Sequence, residues 1–333
     1  MIPSIPNPPD SHSDRQSRPT RLIVGCGYVG LRVASLWLSA GDRVLAVTRS
    51  GQKAAELAKL GIEPIVWDWL DDSWLLQAQH SCPSELASVL VAVSHAPMAD
   101  VPPAQAHRLG LAHLDRWLSD APGSRATRWV YLSTTGVFAD PLGSQDLWVD
   151  EQSPVGPSRP GSITALEAER WLESSAIEHV VLRPAGIYGP ERIPNVQPLR
   201  EGQAMAVDPE SYLNLIHVDD LATVIAAVSQ GPCTGRLYCV SDGHSVQRRD
   251  YYAFIAQSMG WPAPSYVPGQ ELQGAQVQGA QVQGAQAQGA VPRRRSQGNK
   301  RVSNRRLLED HAIRFAFPDY RSGLSSLLAE MAR

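Results

Sequence analysis

The sequence predicts an α/β fold, a doubly wound parallel sheet followed by a smaller C-terminal lobe. Three observations predict it. Short β-rich apolar runs alternate with helical periodicities from residue 21 to about residue 185, a glycine-rich turn joins the first run to the first helix, and the alternation loosens after residue 185. Parallel strands need a crossover of a dozen or more residues, usually a helix, so strand–helix repetition specifies parallel pairing.

In chain order, strands are expected at 21–24, 43–48, 63–67, 88–94, 128–133 and 178–184, with helices at 28–40, 52–60, 103–119 and 162–175 between them. In the first helix Val29, Val33 and Leu36 recur four and three residues apart on one face. Gly41 closes that helix and Asp42 sits in the turn. Later elements are a helix at 220–228, a short strand at 236–240 and helices at 248–259 and 305–310. The chain then divides into a tail at 1–20, a cofactor-binding unit at 21–185, and a lobe at 186–333 mixed with late elements of the sheet. The tail holds five prolines and several serines without an apolar run, and reads as disordered rather than as a signal peptide. Residues 273–290 repeat Gln-Gly-Ala-Gln-Val with small drift and hold nothing that builds a core. A solvated insertion is expected at 270–298.

Hydrophobic residues make up 43% of the 333, enough for a sizeable core, and the net charge of −3 gives no reason to expect nucleic acid or an anionic membrane as a partner. No apolar run approaches the roughly 18 residues that suggest a membrane span. Cys26, Cys82, Cys233 and Cys239 are scattered, so reduced thiols in a cytoplasmic protein are expected, with neither disulfides nor a metal site. A monomer or homodimer acting on a small molecule fits this balance.

Gly25-Cys26-Gly27-Tyr28-Val29-Gly30 is G-x-G-x-x-G, directly after a predicted strand and opening a predicted helix. In that setting Gly25 permits the tight turn, Gly27 lets the backbone approach a pyrophosphate, and Gly30 allows close helix–strand packing. The helix start then offers free N–H groups to phosphates. The motif makes the expected sheet Rossmann-type. A packing turn without a ligand is the alternative.

The second strand ends Thr48-Arg49-Ser50, where sites that prefer NAD carry Asp or Glu for the ribose 2′-hydroxyl. An arginine there can pair with a 2′-phosphate, so the expected cofactor is NADP, with NAD also accommodated. A solvated surface arginine is the other reading. Asp68, ending the third strand, can accept from the adenine amino group or cap the following turn. Ser94 and His95 end the fourth strand and should border the crevice. The expected cofactor contacts are Gly25, Cys26, Gly27, Tyr28, Val29, Gly30, Arg49, Ser50, Asp68, Ser94, His95, Ser133, Pro184 and Ile187.

Several further segments follow in order: Tyr131-Leu132-Ser133-Thr134-Thr135-Gly136-Val137-Phe138, Val149-Asp150-Glu151, Leu182-Arg183-Pro184-Ala185-Gly186-Ile187-Tyr188-Gly189-Pro190, Asn214-Leu215-Ile216-His217-Val218-Asp219-Asp220-Leu221-Ala222 and Tyr238-Cys239-Val240-Ser241-Asp242. With the glycine turn they resemble the short-chain dehydrogenase/reductase superfamily, in its extended or atypical branch of epimerases and dehydratases. The resemblance covers most of residues 21–260. It implies an NAD(P)-dependent oxidoreductase-like protein acting on a small polar metabolite, for example a nucleotide sugar, with Thr134 as the catalytic alcohol and Thr135 beside it.

The same resemblance exposes a departure. The family's chemistry uses a tyrosine that passes a proton to the substrate oxygen, and a lysine four residues later that lowers its pKa. Anchored on Ala168-Glu169, those positions fall on Gly161 and Ala165. The glycine spacing also differs from the wider pattern usual in the extended branch. Loss of positioned acid–base catalysis removes roughly 10²–10⁴ in rate. His95 and Tyr188 are the candidate substitutes, each also readable as a hydrogen-bonded core or rim residue. A cofactor-binding regulator or scaffold with weak or no turnover is the alternative function.

Asp219 is expected to cap the helix after it, and Arg183 and His217 to tie the two lobes together. The basic cluster of Arg293, Arg294, Arg295, Lys300, Arg301, Arg305 and Arg306 reads as a solvated flank, or else as a site for a phosphorylated substrate or a nucleic-acid backbone.

Overall fold

The computed structural model describes residues 18–73, 83, 85–96, 101–119, 127–139, 147–194, 196–267 and 299–331. Residues 1–17, the expected insertion at 270–298, Cys82 and Arg293 to Arg295 lie outside the described residues.

Seven parallel strands form the central sheet: β1 (Thr20–Val24), β2 (Arg43–Thr48), β3 (Glu63–Val66), β4 (Leu86–Val91), β5 (Arg128–Leu132), β6 (His179–Pro184) and β7 (Leu237–Val240). Their order is β7-β6-β5-β4-β1-β2-β3. Between the strands run α1 (Tyr28–Ser39), α2 (Gly51–Lys59), α3 (Pro103–Ser119), α4 (Pro160–Ser174) and α5 (Val218–Gln230), followed beyond β7 by α6 (Arg248–Met259) and α7 (Tyr320–Met331).

Central strands read as continuous apolar runs because both faces are covered. Alternation then sorts the side chains. Ile23, Leu90 and Val130 pack with Val33, Trp37, Val224 and Val228 of α1 and α5 on one face. Leu22, Val24, Val89, Val91 and Trp129 pack with Leu111, Trp117, Ala168 and Leu172 of α3 and α4 on the other. The start of β1 is held by a buried ion pair of Arg21 with Asp42, with Ser88 Oγ accepting from Arg21 at 2.8 Å. Asp42 is thus an ion-pair partner as well as a turn residue.

A further cluster gathers Tyr188, Leu199, Met205, Leu215, Tyr251, Tyr252, Ile255, Leu324 and Leu328, drawing α6 and α7 together. The chain beyond Gly186 is therefore shared: β7 returns to the sheet while the flanking segments build this cluster.

Local differences from expectation have simple causes. The fourth strand ends at Val91 rather than at residue 94, and the chain beyond it passes the glycine turn, where a Cβ on Gly25 would lie 2.7 Å from the Val93 nitrogen. The helix expected at 220–228 begins at Val218, and its cap is His217, whose ring accepts from the Asp219 N–H at 3.3 Å. Asp219 is not the cap; it pairs with Arg32 at 2.9 Å. Part of the basic cluster is integrated rather than solvated. Lys300–Val302 pairs with Leu147–Val149, Lys300 is buried with Nζ 3.4 Å from the Phe138 carbonyl, and the Arg301 guanidinium lies over Trp148 at 4.5 Å.

Candidate functional site

Strand order reverses between β1 and β4, and open α/β sheets bind ligands outside the carboxyl ends of the strands at such a switch point. A cleft of ≈ 750 Å³ lies there. Of the expected contacts, Gly25, Cys26, Gly27, Tyr28, Val29, Arg49, Ser94, His95, Ser133, Pro184 and Ile187 line it. Gly30, Ser50 and Asp68 do not, nor do Thr134, Thr135 and Tyr188. Lys53, Trp67, Trp69 and Arg192 line it without having been anticipated.

The three glycines differ physically. Gly25 has φ +89°, and a side chain there would also collide with the β4 loop. A Cβ on Gly30 would lie 2.8 Å from the Gly25 carbonyl and 3.2 Å from Ile23 Cγ2, so Gly30 serves packing. Around Gly27 nothing lies within 4 Å of that position. This is the open cradle a pyrophosphate requires, and α1 starts beside it with its first amides uncapped by any side chain. The residues fit a dinucleotide. Cys26 is buried in the loop, and burial pushes its thiol up to about 11, which leaves it un-ionised and unreactive at neutral pH.

At the β2 end the Arg49 guanidinium is 69% exposed and meets Asp68 only at 3.9 Å. Such a surface pair is worth at most about 1 kcal/mol, so the guanidinium is available to a stronger anion. Asp68 holds the following turn, its Oδ1 accepting from Leu70 N–H at 3.1 Å. Ser50 caps α2 by accepting from the Lys53 N–H at 3.3 Å. Trp69 enters the cleft wall by packing on Gly110, where a Cβ would lie 2.4 Å from the indole. A glycine in mid-helix was the sequence signal for that contact. The Arg192 guanidinium sits 5.5 Å from the Tyr28 ring centre.

Beyond the cofactor end, Glu169 is buried and binds both Ser133 Oγ and Arg183, the latter through Oε2 at 2.6 Å. Arg183 is thus a core ion-pair residue, not a link between lobes. His217 does form such a link, packing on Tyr188 and Phe317 with ring centres 5.2 and 3.8 Å away. Thr134 Oγ1 accepts from the Gly136 N–H at 3.0 Å and starts the short helix Thr135–Val137. Tyr188 is buried in the C-terminal cluster, its hydroxyl 3.4 Å from the Asp319 carbonyl and its pKa pushed up, first by burial and then by nearby carboxylates.

The position expected for the family's tyrosine is physically closed. A Cβ on Gly161 would lie 2.7 Å from the His95 carbonyl oxygen and 3.3 Å from its Cβ, and Ala165 is fully buried. One residue on, Ser162 and Thr134 converge on Gly136, where a Cβ would meet their hydroxyls at 2.5 and 3.3 Å. The start of α4 therefore gathers His95, Ser162 and Thr134 into one neighbourhood. His95 Nε2 lies 3.1 Å from the Tyr131 hydroxyl, which lies 2.9 Å from His107 Nδ1, and His107 Nε2 is 3.2 Å from the Ser94 carbonyl. Burial and then His107 push His95 down to about 3, and burial pushes His107 down to about 4.

Among the described residues no group of three His, Cys, Asp or Glu side chains could hold a metal ion, and no helix is long and apolar enough to cross a membrane. Comparison with known proteins agrees with this geometry. A ketoreductase of Stigmatella aurantiaca, acting on 4-hydroxy-2-methyl-3-oxo-4-farnesyl-3,4-dihydroquinoline-1-oxide, is 28% identical over 71% of this chain and 72% of its own. Protein YeeZ of Escherichia coli (strain K12) is 27% identical over 73% of this chain and 85% of its own. A solved structure of a functionally unknown conserved protein from Silicibacter pomeroyi shares 27% identity at a TM-score of 0.71, covering 95% of this chain and 100% of that one. The model of the NAD dependent epimerase/dehydratase family matches residues 22–238. With its glycine cradle at the switch point of a parallel sheet, the chain belongs to the NAD-dependent epimerase/dehydratase family, and its function is of the NAD(P)-dependent oxidoreductase kind.

Proposed function

We propose that the chain uses NADP(H) to interconvert a carbonyl and an alcohol on a small polar metabolite, such as a nucleotide sugar. One observation carries the cofactor choice: Arg49, at the β2 end and lining the cleft, stands where a carboxylate would read a ribose 2′-hydroxyl. A charge-assisted contact from it to a 2′-phosphate is worth about 1.5–3 kcal/mol, a preference of roughly ten- to a hundredfold. Lys53, on the first turn of α2 and also lining the cleft, adds positive charge on the same side.

When bound, the nicotinamide supplies or accepts the hydride. The chain's own residues do the rest. Gly25 to Val29 and the start of α1 would hold the pyrophosphate, Trp67 and Trp69 wall one side, and Pro184 and Ile187 border the reacting end. Thr134, outside the lining but next in the chain to Ser133, which belongs to it, accepts from Gly136 and keeps its own proton for the substrate oxygen, with Thr135 beside it. The three described cysteines are free, which suits a reducing cytoplasm, and nothing in this reading requires more than a monomer or homodimer.

The closed Gly161 position favours a second reading, a regulator that binds NADP(H) with little turnover. Titration of wild type and Arg49→Ala with NADPH and NADH tests the cofactor choice. NADPH should weaken roughly ten- to a hundredfold with NADH unchanged, whereas equal loss for both, or for neither, contradicts it. Tight NADPH binding without turnover across a carbonyl panel favours the regulator.

A further inference from the structure

His95, Tyr131 and His107 form a hydrogen-bonded chain whose direction is dictated by its last member. The Ser94 carbonyl can only accept, so His107 Nε2 carries a proton and donates across 3.2 Å. His107 is then neutral only if Nδ1 is bare, and that nitrogen must accept from the Tyr131 hydroxyl at 2.9 Å. The Tyr131 proton being so used, its oxygen accepts from His95 Nε2–H at 3.1 Å. His95 Nδ1 is left as a bare acceptor. The hydrogen bond of the His95 ring among the described residues is made by Nε2, and the residue as a whole is half-buried. His95 lines the cleft, so this nitrogen is the acceptor its ring has left to offer a ligand there.

The chain is held rigidly. The two imidazoles stack at 4.7 Å with planes 24° apart, and Tyr131 meets both edge-on at 6.1 and 6.0 Å. Trp69 also meets His107 edge-on at 5.2 Å. Among the described residues, His107 and Tyr131 are the titratable groups that touch His95, and Glu169 is the charge felt by Tyr131. Reversing the chain would aim the bare Nε2 of His107 at the Ser94 carbonyl, two acceptors facing each other at a buried site, which disfavours that direction.

We propose that His95 is a ligand-contacting residue that presents a fixed hydrogen-bond acceptor to a hydroxyl of the bound ligand, with Tyr131 and His107 as positioning residues. This rests on the cleft being the cofactor and substrate site, and it deepens that reading by naming the chemistry recognised. A neutral acceptor suits an aliphatic hydroxyl, on the substrate or on the cofactor's nicotinamide ribose, and cannot serve a carbonyl oxygen.

Two cofactor-free measurements test it on the full chain. With ¹⁵N-histidine label, long-range ¹H–¹⁵N spectra at pH 7 should show His95 and His107 as neutral Nε2–H tautomers. Tyr131→Phe should leave His95 a mixture of tautomers. Diethyl pyrocarbonate, followed by peptide mass spectrometry, should acylate His95 but not His107. The His95 rate should match at pH 5.5 and 7.5, whereas an ordinary histidine slows roughly tenfold toward the acid end. Loss of His95 acylation in NADPH-saturated protein places the hydroxyl on the cofactor, and continued acylation places it on the substrate. An Nδ1–H or mixed tautomer in wild type, or an unreactive His95, overturns the proposal. Neither readout needs NADP(H), so failure here and failure to bind the cofactor are separate results.

Discussion

Glu169 shows how one buried charge orders the floor of the site. Its carboxylate is 9% exposed, accepts from Arg183 Nη2 at 2.6 Å and Nε at 3.1 Å, and also takes the Ser133 hydroxyl. Removing one partner of such a pair leaves the other charge buried alone. Glu169→Ala should therefore lower stability by about 3–5 kcal/mol in urea unfolding, and a loss under about 1 kcal/mol would refute this role. Residues of this kind are only partly legible in sequence. Gly25, Gly27 and Arg49 are readable because their neighbours in the chain define their work. Tyr131 and His107 are not, because they meet His95 and each other across 36 and 24 residues, through the adjacency of β4, β5 and α3. Arg183 and Glu169 were visible as family landmarks, while their pairing was not.

Among elements, α5 is the joint between the sheet and the C-terminal segment. His217 caps it, and Asp220 in its first turn is buried and accepts from the N–H groups of Ala316 at 2.7 Å and Phe317 at 2.9 Å. Asp220→Ala orphans both amides, each worth roughly 1–3 kcal/mol if left unpaired. The expected result is a lower urea midpoint together with faster proteolysis near residue 316; an unchanged cleavage rate would show that α7 is held by packing alone. The strand–helix alternation made the sheet and its helices legible, since a buried parallel strand and an amphipathic helix each leave a periodic trace. Short pairings such as Lys300–Val302 with Leu147–Val149 left none, because three residues are too few for a period and their partners are distant in sequence. The cap of α5 was misplaced by two residues because a histidine, not an aspartate, supplies the acceptor.

For the molecule as a whole, buried titratable groups set how stability follows pH. His95 and His107 are held neutral, down to about 3 and about 4, against an ordinary 6.5. Below pH 6.5 the unfolded chain therefore binds protons that the folded chain refuses, and their contribution falls with pH until the folded values are reached. By pH 5 His107 alone costs about 2 kcal/mol. Asp242 opposes this. Burial first, with further raising by Asp319 and Asp220, lifts it from 3.8 to about 7, so its protonation favours the folded state over the same window. Urea midpoints at pH 7 and pH 5 should fall less on acidification in His107→Gln than in wild type, and more in Asp242→Asn. Parallel behaviour of all three would contradict the assignment of these groups.

The central claim is that main-chain amides at the start of α1 receive a diphosphate at a point left open by Gly27. Gly27→Ala isolates it, because an added Cβ there meets no protein atom within 4 Å, unlike one at Gly25 or Gly30. The direct measurement is NADPH affinity of Gly27→Ala by calorimetry, alongside its melting temperature. The expected result is an unchanged melting temperature with NADPH binding lost or sharply weakened. Wild-type affinity in that variant would contradict it.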